Sequence, residues 1–339
     1  MIEAAEGARN CAIKLAGVTL NDDVLILTDA GSDLRISEAL AYECSAVGAD
    51  VTILVMKTRD EAAAELPKTV AETVKVADIL FTPVSNPPHQ FSWEAISAAR
   101  KAGVRWMPMI GLSIETLCSR GARFPPEVVF EVAKRIMSQL QNSKTINVTC
   151  KKGSNLSAKI VKPEYVSGGP VRPMQTGDYI GAFAGGFGVI HIWPEWTADG
   201  VIFFDALDSF EGKLATPLKC TVRNGRATRF EGQEEQVEFM KDATKCENGD
   251  HFAELGLGIN PALSIRFDAP VRWEAERHAG CLHCGIGRAS RLPCKIHIDG
   301  FVPEPTILID DEPCVKDGKL LILEDSEIRA LSRKYGVKL

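Results

Sequence analysis

Residues 23–56 decide the fold and read DVLILTDAGSDLRISEALAYECSAVGADVTILVM. The stretch opens on the short apolar run DVLILT and closes on DVTILVM, and both runs are typical of buried strands. Between the two runs, apolar residues share one stripe of a helix: Leu34, Ile36, Leu40, Cys44 and Val47. A strand, a helix and a second strand in that order form a β-α-β unit, whose two strands are parallel.

The same alternation continues as far as Cys150. It predicts helices near KTVAETVKVA, WEAISAARKAG and PPEVVFEVAKRIMSQLQ, and strands at DILFTPV and VRWMPM. The runs TINVTCKKG and NLSAKIV then predict a hairpin. We therefore expect an α/β domain with a doubly wound, mostly parallel sheet over residues 1–165.

The second half of the chain has a different character. Between Lys162 and Ile180 the sequence is rich in Pro and Gly and has no periodicity, which marks a domain boundary. Short β-type runs follow, among them GVIHIW, DGVIFFDAL, CKIHIDGFV and PTILIDD, and Asn224-Gly225 is a hairpin-turn signal. We expect a β-rich domain of α+β type over residues 166–339.

Charge and hydropathy exclude two kinds of partner. The chain of 339 residues has 45 acidic and 39 basic side chains without a long run of either sign, so no surface that follows nucleic-acid phosphates is predicted. No apolar stretch approaches the ~20 residues that cross a bilayer, and the opening MIEAAEGARNCAIKLAG lacks the features of a signal peptide. We expect a cytoplasmic protein whose ten cysteines are reduced thiols.

The histidines are concentrated in the second half. Of six in the chain, four lie within residues 251–297: His251, His278, His283 and His297. Imidazole is the commonest metal ligand in proteins, so this concentration predicts a metal site.

The stretch KIHIDG supplies the best-defined pair of ligands. It reads as a strand with Ile296 and Ile298 on one face, and the two-residue period then puts His297 and Asp299 together on the other. One more imidazole would complete a set of two histidines and one carboxylate, which leaves positions open for substrate and dioxygen on Fe(II). The alternative is a polar pair on the solvent face of a strand.

The third ligand is expected from one of two segments. In GDHFAELGLGINPA, His251 and Glu254 are three apart and adjacent if the segment forms a helical turn. In ERHAGCLHCGIG, His278 and His283 flank a C-x-x-C pair, Cys281 and Cys284. That pair is compatible with a structural zinc site, with redox chemistry, or with ordinary packing of buried thiols.

Two further histidines are candidates for proton transfer. His89 follows the strand DILFT, and ligands of open α/β sheets bind outside the carboxyl ends of strands. His191 lies near Trp193 and Trp196 and could line an aromatic pocket. The alternatives are a loop histidine in solvent and a strand histidine packed against tryptophan.

The sequence resembles the metallo-aminopeptidases of the aminopeptidase T and S type, and more closely their non-peptidase branch, typified by 2,5-dihydroxypyridine 5,6-dioxygenase. Four segments carry the resemblance: GVTLNDDVLILTDAGSDLRISEALAYECSAVGADVTIL, FAELGLGINP, HAGCLHCGIG and the closing HID. In the peptidases a pair of metal ions is held by glutamates, two histidines and an aspartate. The residues carried over from that set are Glu254, His283, His297 and Asp299.

The departures from the peptidase pattern are informative. His278 stands where the peptidases have a glutamate, Ser290 stands where they have a tyrosine, and AGGFGVIHIWPEWTADG has no glutamate at the expected place. Loss of these groups weakens a two-metal site and its general base.

The resemblance to the dioxygenase branch implies one Fe(II) ion, held by His251, His297 and Asp299. It implies a ring-cleaving, extradiol-type dioxygenase that acts on a small hydroxylated N-heteroaromatic ring such as a dihydroxypyridine, with dioxygen as the second substrate. Three residues are alternates for the ligand that accompanies His297 and Asp299: Glu254, His278 and His283.

Under the same resemblance, His89 is the first candidate to manage the proton, followed by His191 and His283. The relatives form closed assemblies, which implies a homo-oligomer. The second interpretation is a metallohydrolase, an aminopeptidase or a small-amide hydrolase, that uses Zn, Co or Mn to activate water. The third is a protein without enzymatic activity whose His/Cys cluster holds a structural zinc ion.

Overall fold

The computed structural model describes residues 2–58, 65–85, 93–110, 112–166, 183–184, 187–267, 274–289 and 292–339. The chain divides into two compact units, one of residues 1–130 and 166–187 and the other of residues 131–165 and 188–339.

The first unit contains a sheet of five strands that are all parallel. In space their order is β2-β1-β3-β4-β8. The strands are β1 (Asp23–Asp29), β2 (Asp50–Met56), β3 (Ile79–Pro83), β4 (Arg105–Ile110) and β8 (Phe183–Ala184). The predicted α/β part with a parallel sheet is confirmed, whereas helices on both faces, which a doubly wound sheet requires, stay a prediction.

The described residues form seven helices that lie in this unit or begin in it. They are α1 (Ile2–Arg9), α2 (Leu34–Ala46), α3 (Lys68–Thr73), α4 (Glu94–Ala102), α5 (Ile114–Cys118), α6 (Arg120–Arg123) and α7 (Pro126–Gln141), and a π-helical turn (Asn10–Leu15) follows α1. Helix α2 begins where the Asp33 carboxylate accepts the backbone N–H of Arg35. Helix α4 ends at Gly103, whose φ of 112° is in the left-handed region that glycine favours.

The second unit contains two sheets. The larger has the order β13-β12-β10-β6-β5-β17-β18-β19, and the smaller has the order β11-β16-β15-β14-β9-β7. The strands are β5 (Thr145–Thr149), β6 (Asn155–Lys159), β7 (Lys162–Val166), β9 (Val189–Trp193), β10 (Asp199–Phe204), β11 (Ala206–Leu207), β12 (Leu218–Arg223), β13 (Arg226–Glu231), β14 (Phe252–Gly258), β15 (Leu282–Ala289), β16 (Leu292–Val302), β17 (Thr306–Ile309), β18 (Glu312–Lys316) and β19 (Lys319–Leu320). Its helices are α8 (Glu234–Ala243) and α9 (Ser326–Lys334), with 3₁₀ turns at Glu195–Thr197 and Leu321–Glu324.

The predicted β-rich character of the second half is confirmed, and so are two predicted hairpins. Asn224 and Gly225 turn the chain between β12 and β13 with φ angles of 47° and 68°. Strands β5 and β6 form the other hairpin, which belongs to the second unit because β5 pairs with β17 and β6 with β10. A single domain boundary after residue 165 stays a prediction.

No helix in the described residues is both long enough and apolar enough to cross a membrane.

The centre of β1 gives a test of the core of the first unit. Ile26 is fully buried between Ile53 of β2 and Phe81 of β3. We expect Ile26→Ala to lower the free energy of unfolding by roughly 2–5 kcal/mol, because it leaves a cavity where the buried side chain packs against the core. Urea denaturation measures the loss.

The control is Ile53→Ala, which deletes the same atoms from the edge strand β2, where the side chain is 40% exposed. We expect that variant to lose only about 1 kcal/mol. Equal losses in the two variants would contradict the proposed position of the core.

Candidate metal centre

Strand β14 sets the position of two histidines. It lies between β9 and β15 and is antiparallel to both. Gly256 of β14 pairs with His191 of β9 on one side and with His283 of β15 on the other. Side chains directly opposite each other point to the same face of a sheet, so both imidazoles stand over Gly256. Their ring centroids are 5.3 Å apart in an edge-to-face arrangement.

The next row of the same face supplies two carboxylates. Gly285 of β15 pairs with Glu254 of β14 and with Asp299 of β16. Each of these three residues lies two positions along its strand from the row of Gly256, so they share its face. His297 lies two residues before Asp299 in β16 and joins the same face. The strand that the sequence predicts at KIHIDG is therefore present.

Two glycines make room for these side chains. A Cβ on Gly256 would lie 1.9 Å from Cε1 of His283. A Cβ on Gly285 would lie 2.7 Å from Cγ of Glu254 and 2.8 Å from Cε1 of His297. The imidazole rings of His283 and His297 occupy the space that a side chain at Gly256 or Gly285 would fill. The residue pattern around these glycines does not mark them as part of a site, although glycine inside a strand is a recognised sign of close approach.

The five residues form two groups that share Glu254. The donor atoms of Glu254, His297 and Asp299 lie within 4.8 Å of one another, and so do those of His191, Glu254 and His283. Glu254 Oε1 is 3.4 Å from His283 Nε2 and 3.5 Å from His297 Nε2, and His297 Nε2 is 3.4 Å from Asp299 Oδ1. Glu254, His283 and Asp299 are each more than nine-tenths buried.

Opposite charges within the cluster stabilise the ionised carboxylates and the protonated imidazole. Burial alone would raise the pKa of Glu254, but His191, His297 and His283 outweigh it and hold that pKa well below its ordinary value. For His297 burial acts in the opposite direction, yet Asp299 and Glu254 raise its pKa well above the usual range. Without a metal, the stable state of the cluster is ionised carboxylates beside a protonated His297.

Two other groups near the cluster have shifted pKa values. Burial lowers the pKa of His191 to about 4, so its ring is neutral near pH 7. Burial, followed by the charge of Asp299, raises the pKa of Asp208 to about 7. The backbone N–H of Asp208 donates to the Asp299 carbonyl at 2.9 Å. Nothing in the spacing of DALDS identified Asp208, because only the pairing of β11 with β16 brings it here.

The residues fit a divalent cation. Asp299 Oδ1 and His283 Nδ1 are buried and make no hydrogen bond to any of the described residues. His297 Nδ1 lies 2.9 Å from the Arg288 carbonyl, which fixes that nitrogen as the donor and leaves Nε2 for an ion. Imidazole and carboxylate donors suit Fe, Mn, Co and Zn. The donor atoms of each group are close enough together for one ion to bind all three with bonds of about 2.1 Å.

The structure does not bring His251 into either group. Its ring packs against Trp196 with centroids 4.2 Å apart, and the Arg226 guanidinium covers the same tryptophan. Residues 252–258 form β14, so the helical turn that would make His251 and Glu254 neighbours is not formed. His278 is also outside both groups, and its Nδ1 lies 2.6 Å from the Leu263 carbonyl.

The two cysteines of the C-x-x-C pair take no part in the described cluster. Cys281 and Cys284 are fully buried, and Cys284 is one residue from His283, so it points to the opposite face of β15. In the part of the chain that the structure describes, no group of possible metal ligands contains either cysteine. His89 lies outside the described residues.

A fold of this kind, with buried imidazoles and carboxylates on one face of a sheet, is typical of metalloenzymes. A sequence-family model described as "NicX: 2,5-dihydroxypyridine 5,6-dioxygenase" matches residues 8–322. Because the match spans most of the chain, the protein belongs to this dioxygenase family.

Two solved structures have the same fold. The 2,5-dihydroxypyridine dioxygenase of Pseudomonas putida KT2440 aligns over 96% of this chain and 98% of its own, with a TM-score of 0.75 and 17% identity. Wild-type AmpT from Thermus thermophilus aligns over 94% and 99%, with a TM-score of 0.63 and 13% identity. The predicted resemblance to both branches is confirmed. No curated protein sequence matches the chain closely enough to add to these comparisons.

Replacement of Gly256 tests the cluster geometry. We expect Gly256→Ala to displace the His283 ring, because the added methyl would occupy its position. Co²⁺ should bind more weakly or with a changed geometry, which the visible absorption of the ion measures. The circular dichroism should stay that of the folded protein.

Leu257→Val is the matched control, since it alters the opposite face of the same strand by one methylene. It should leave the Co²⁺ spectrum unchanged. An unchanged spectrum in Gly256→Ala as well would contradict the placement of His283.

Proposed function

We propose that the protein is a mononuclear non-haem Fe(II) dioxygenase of the extradiol type that opens a small hydroxylated N-heteroaromatic ring, with a dihydroxypyridine as the model substrate. The observation that carries the proposal is the trio of Glu254, His297 and Asp299 in a member of a 2,5-dihydroxypyridine 5,6-dioxygenase family. When bound, the ion supplies the positions at which the ring hydroxyl and dioxygen meet.

In this proposal His297 and Asp299 remain the central ligands, and the geometry favours Glu254 over His251 as the third. Glu254 Oε1 is 3.5 Å from His297 Nε2, whereas His251 stacks on Trp196. The Arg288 carbonyl orients the His297 ring, so that the ligand nitrogen is held before any ion binds.

The other residues of the face have roles in binding and proton transfer. His283 and His191 lie next to Glu254 and in edge-to-face contact with each other, so both rings are placed to contact a substrate that binds at the cluster. We assign them to hold and move the proton of the ring hydroxyl. Phe301 is buried beside His283 and excludes water from that side of the cluster. His89 remains a proposed proton carrier from the sequence alone.

Oxygen uptake tests the reaction. The protein should bind about one Fe(II) per chain, and anaerobic addition of 2,5-dihydroxypyridine should perturb the electronic spectrum of the iron site. With dioxygen admitted, uptake should match the loss of ring absorbance one to one. Release of an amine from a chromogenic amide that needs Co²⁺ or Zn²⁺, and that does not depend on oxygen, would overturn the proposal.

Two conservative substitutions identify the third ligand. Glu254→Gln should weaken Fe(II) or Co²⁺ binding by about 100-fold or more, because it removes the buried negative charge that would bind the ion. His251→Gln should leave the affinity within a few-fold of the parent protein. Equilibrium dialysis with metal analysis measures both, and His297→Ala serves as the variant that should lose the metal entirely.

The reverse result, with binding lost in His251→Gln and kept in Glu254→Gln, would restore the ligand set predicted from the sequence. Circular dichroism and thermal unfolding of each variant separate a lost ligand from a lost fold.

One observation favours a second candidate function. Glu254 belongs to both trios, which is the position that a carboxylate shared by two ions would take in a metallohydrolase. Saturation at two ions per chain, together with amide hydrolysis, would select that function. Saturation at one ion with oxygen uptake selects the dioxygenase.

A further inference from the structure

Two cysteines outside the metal cluster lie in contact with each other. The Sγ atoms of Cys246 and Cys294 are 3.7 Å apart. Cys246 lies in the turn after helix α8, and Cys294 lies in β16. Both are half-buried free thiols. All ten cysteines belong to the described residues, and no second pair of thiols among them makes such a contact.

The local backbone holds the Cys246 thiol toward its partner. Cys246 Sγ donates to the Ala243 carbonyl at 3.4 Å, which ties it to the end of α8. Gly249 closes the turn beneath it, and a Cβ there would lie 2.9 Å from the same sulfur. A disulfide bond is ~2.05 Å long, so each sulfur needs to move by less than about 1 Å to form one.

The C-x-x-C pair does not have this arrangement. Cys281 and Cys284 are each fully buried, whereas Cys246 and Cys294 are half-buried. Burial raises the pKa of Cys281 and of Cys284, and it also raises the pKa of Cys294, so the contact between the two sulfurs rather than thiol acidity distinguishes the pair. The two thiols in contact are 48 residues apart in sequence, which spacing alone could not show.

We propose that Cys246 and Cys294 are an oxidation site, a dithiol that peroxide closes to a disulfide. In the first step one thiol attacks hydrogen peroxide to give a sulfenic acid and one water. In the second step the other thiol displaces a second water from that sulfenic acid and the S–S bond forms. The two thiols lose two protons and two electrons, and the peroxide takes up both.

The bond would join the two segments that lead into the metal cluster. Cys246 precedes β14, which carries Glu254, and Cys294 precedes His297 by three residues in β16. The closed loop would enclose β14 and β15 and attach them to β16. The modification is independent of the proposed function, because it rests on the two thiols alone.

Peptide mapping of the full chain tests the proposal. After stoichiometric hydrogen peroxide and blocking of the remaining thiols, mass spectrometry should find the Cys246 and Cys294 peptides joined and two hydrogens lighter than their sum. The thiol count of the denatured protein should fall by two and return with dithiothreitol. The oxidised protein should unfold at a temperature higher by roughly 5 °C, because the cross-link restricts the unfolded chain.

Cys246→Ser and Cys294→Ser should each abolish the cross-link and the temperature shift, and Cys246→Ala and Cys294→Ala replace them if a serine variant fails to fold. Cys281→Ser is the control that should retain both effects. A cross-link between other cysteines, or peroxide oxidation of Cys246 or Cys294 to sulfinic acid without a joined peptide, would overturn the proposal.

Discussion

The buried carboxylate of Glu254 is the constraint around which the site of the second unit is arranged. A carboxylate removed from water is costly unless positive or hydrogen-bonding groups surround it, and here three imidazoles do so. Those rings can approach only because Gly256 and Gly285 leave space on the strands between them. The two glycines and the ionisable residues thus depend on each other. A bound cation would stabilise the same cluster.

The family and the geometry answer different questions. Membership of a 2,5-dihydroxypyridine 5,6-dioxygenase family identifies a class of reaction, and the fold is shared with AmpT as well. A fold hosts more than one chemistry, so the reaction depends on the ions and side chains at the site. The sharing of Glu254 between two trios keeps a hydrolase as the second candidate, while the family match favours the dioxygenase.

The secondary structure was largely readable from the sequence, because strands such as β1 and β16 have a strong apolar period and turns such as Asn224-Gly225 have few alternatives. The candidate site was readable only in part. The pair His297 and Asp299 follows from a two-residue period within one strand. The family resemblance implies His251 beside them, but the course of the chain through β14 turns its ring against Trp196.

The sequence by itself determined the parallel sheet, the β-rich second half and the side-by-side placement of His297 and Asp299, since each depends on periodicity within a short segment. Only the tertiary structure decided that His191, Glu254 and His283 join one cluster and that Cys246 meets Cys294. These contacts depend on which strands are neighbours and in which register they pair. Pairing between distant segments leaves no period in the sequence of either one.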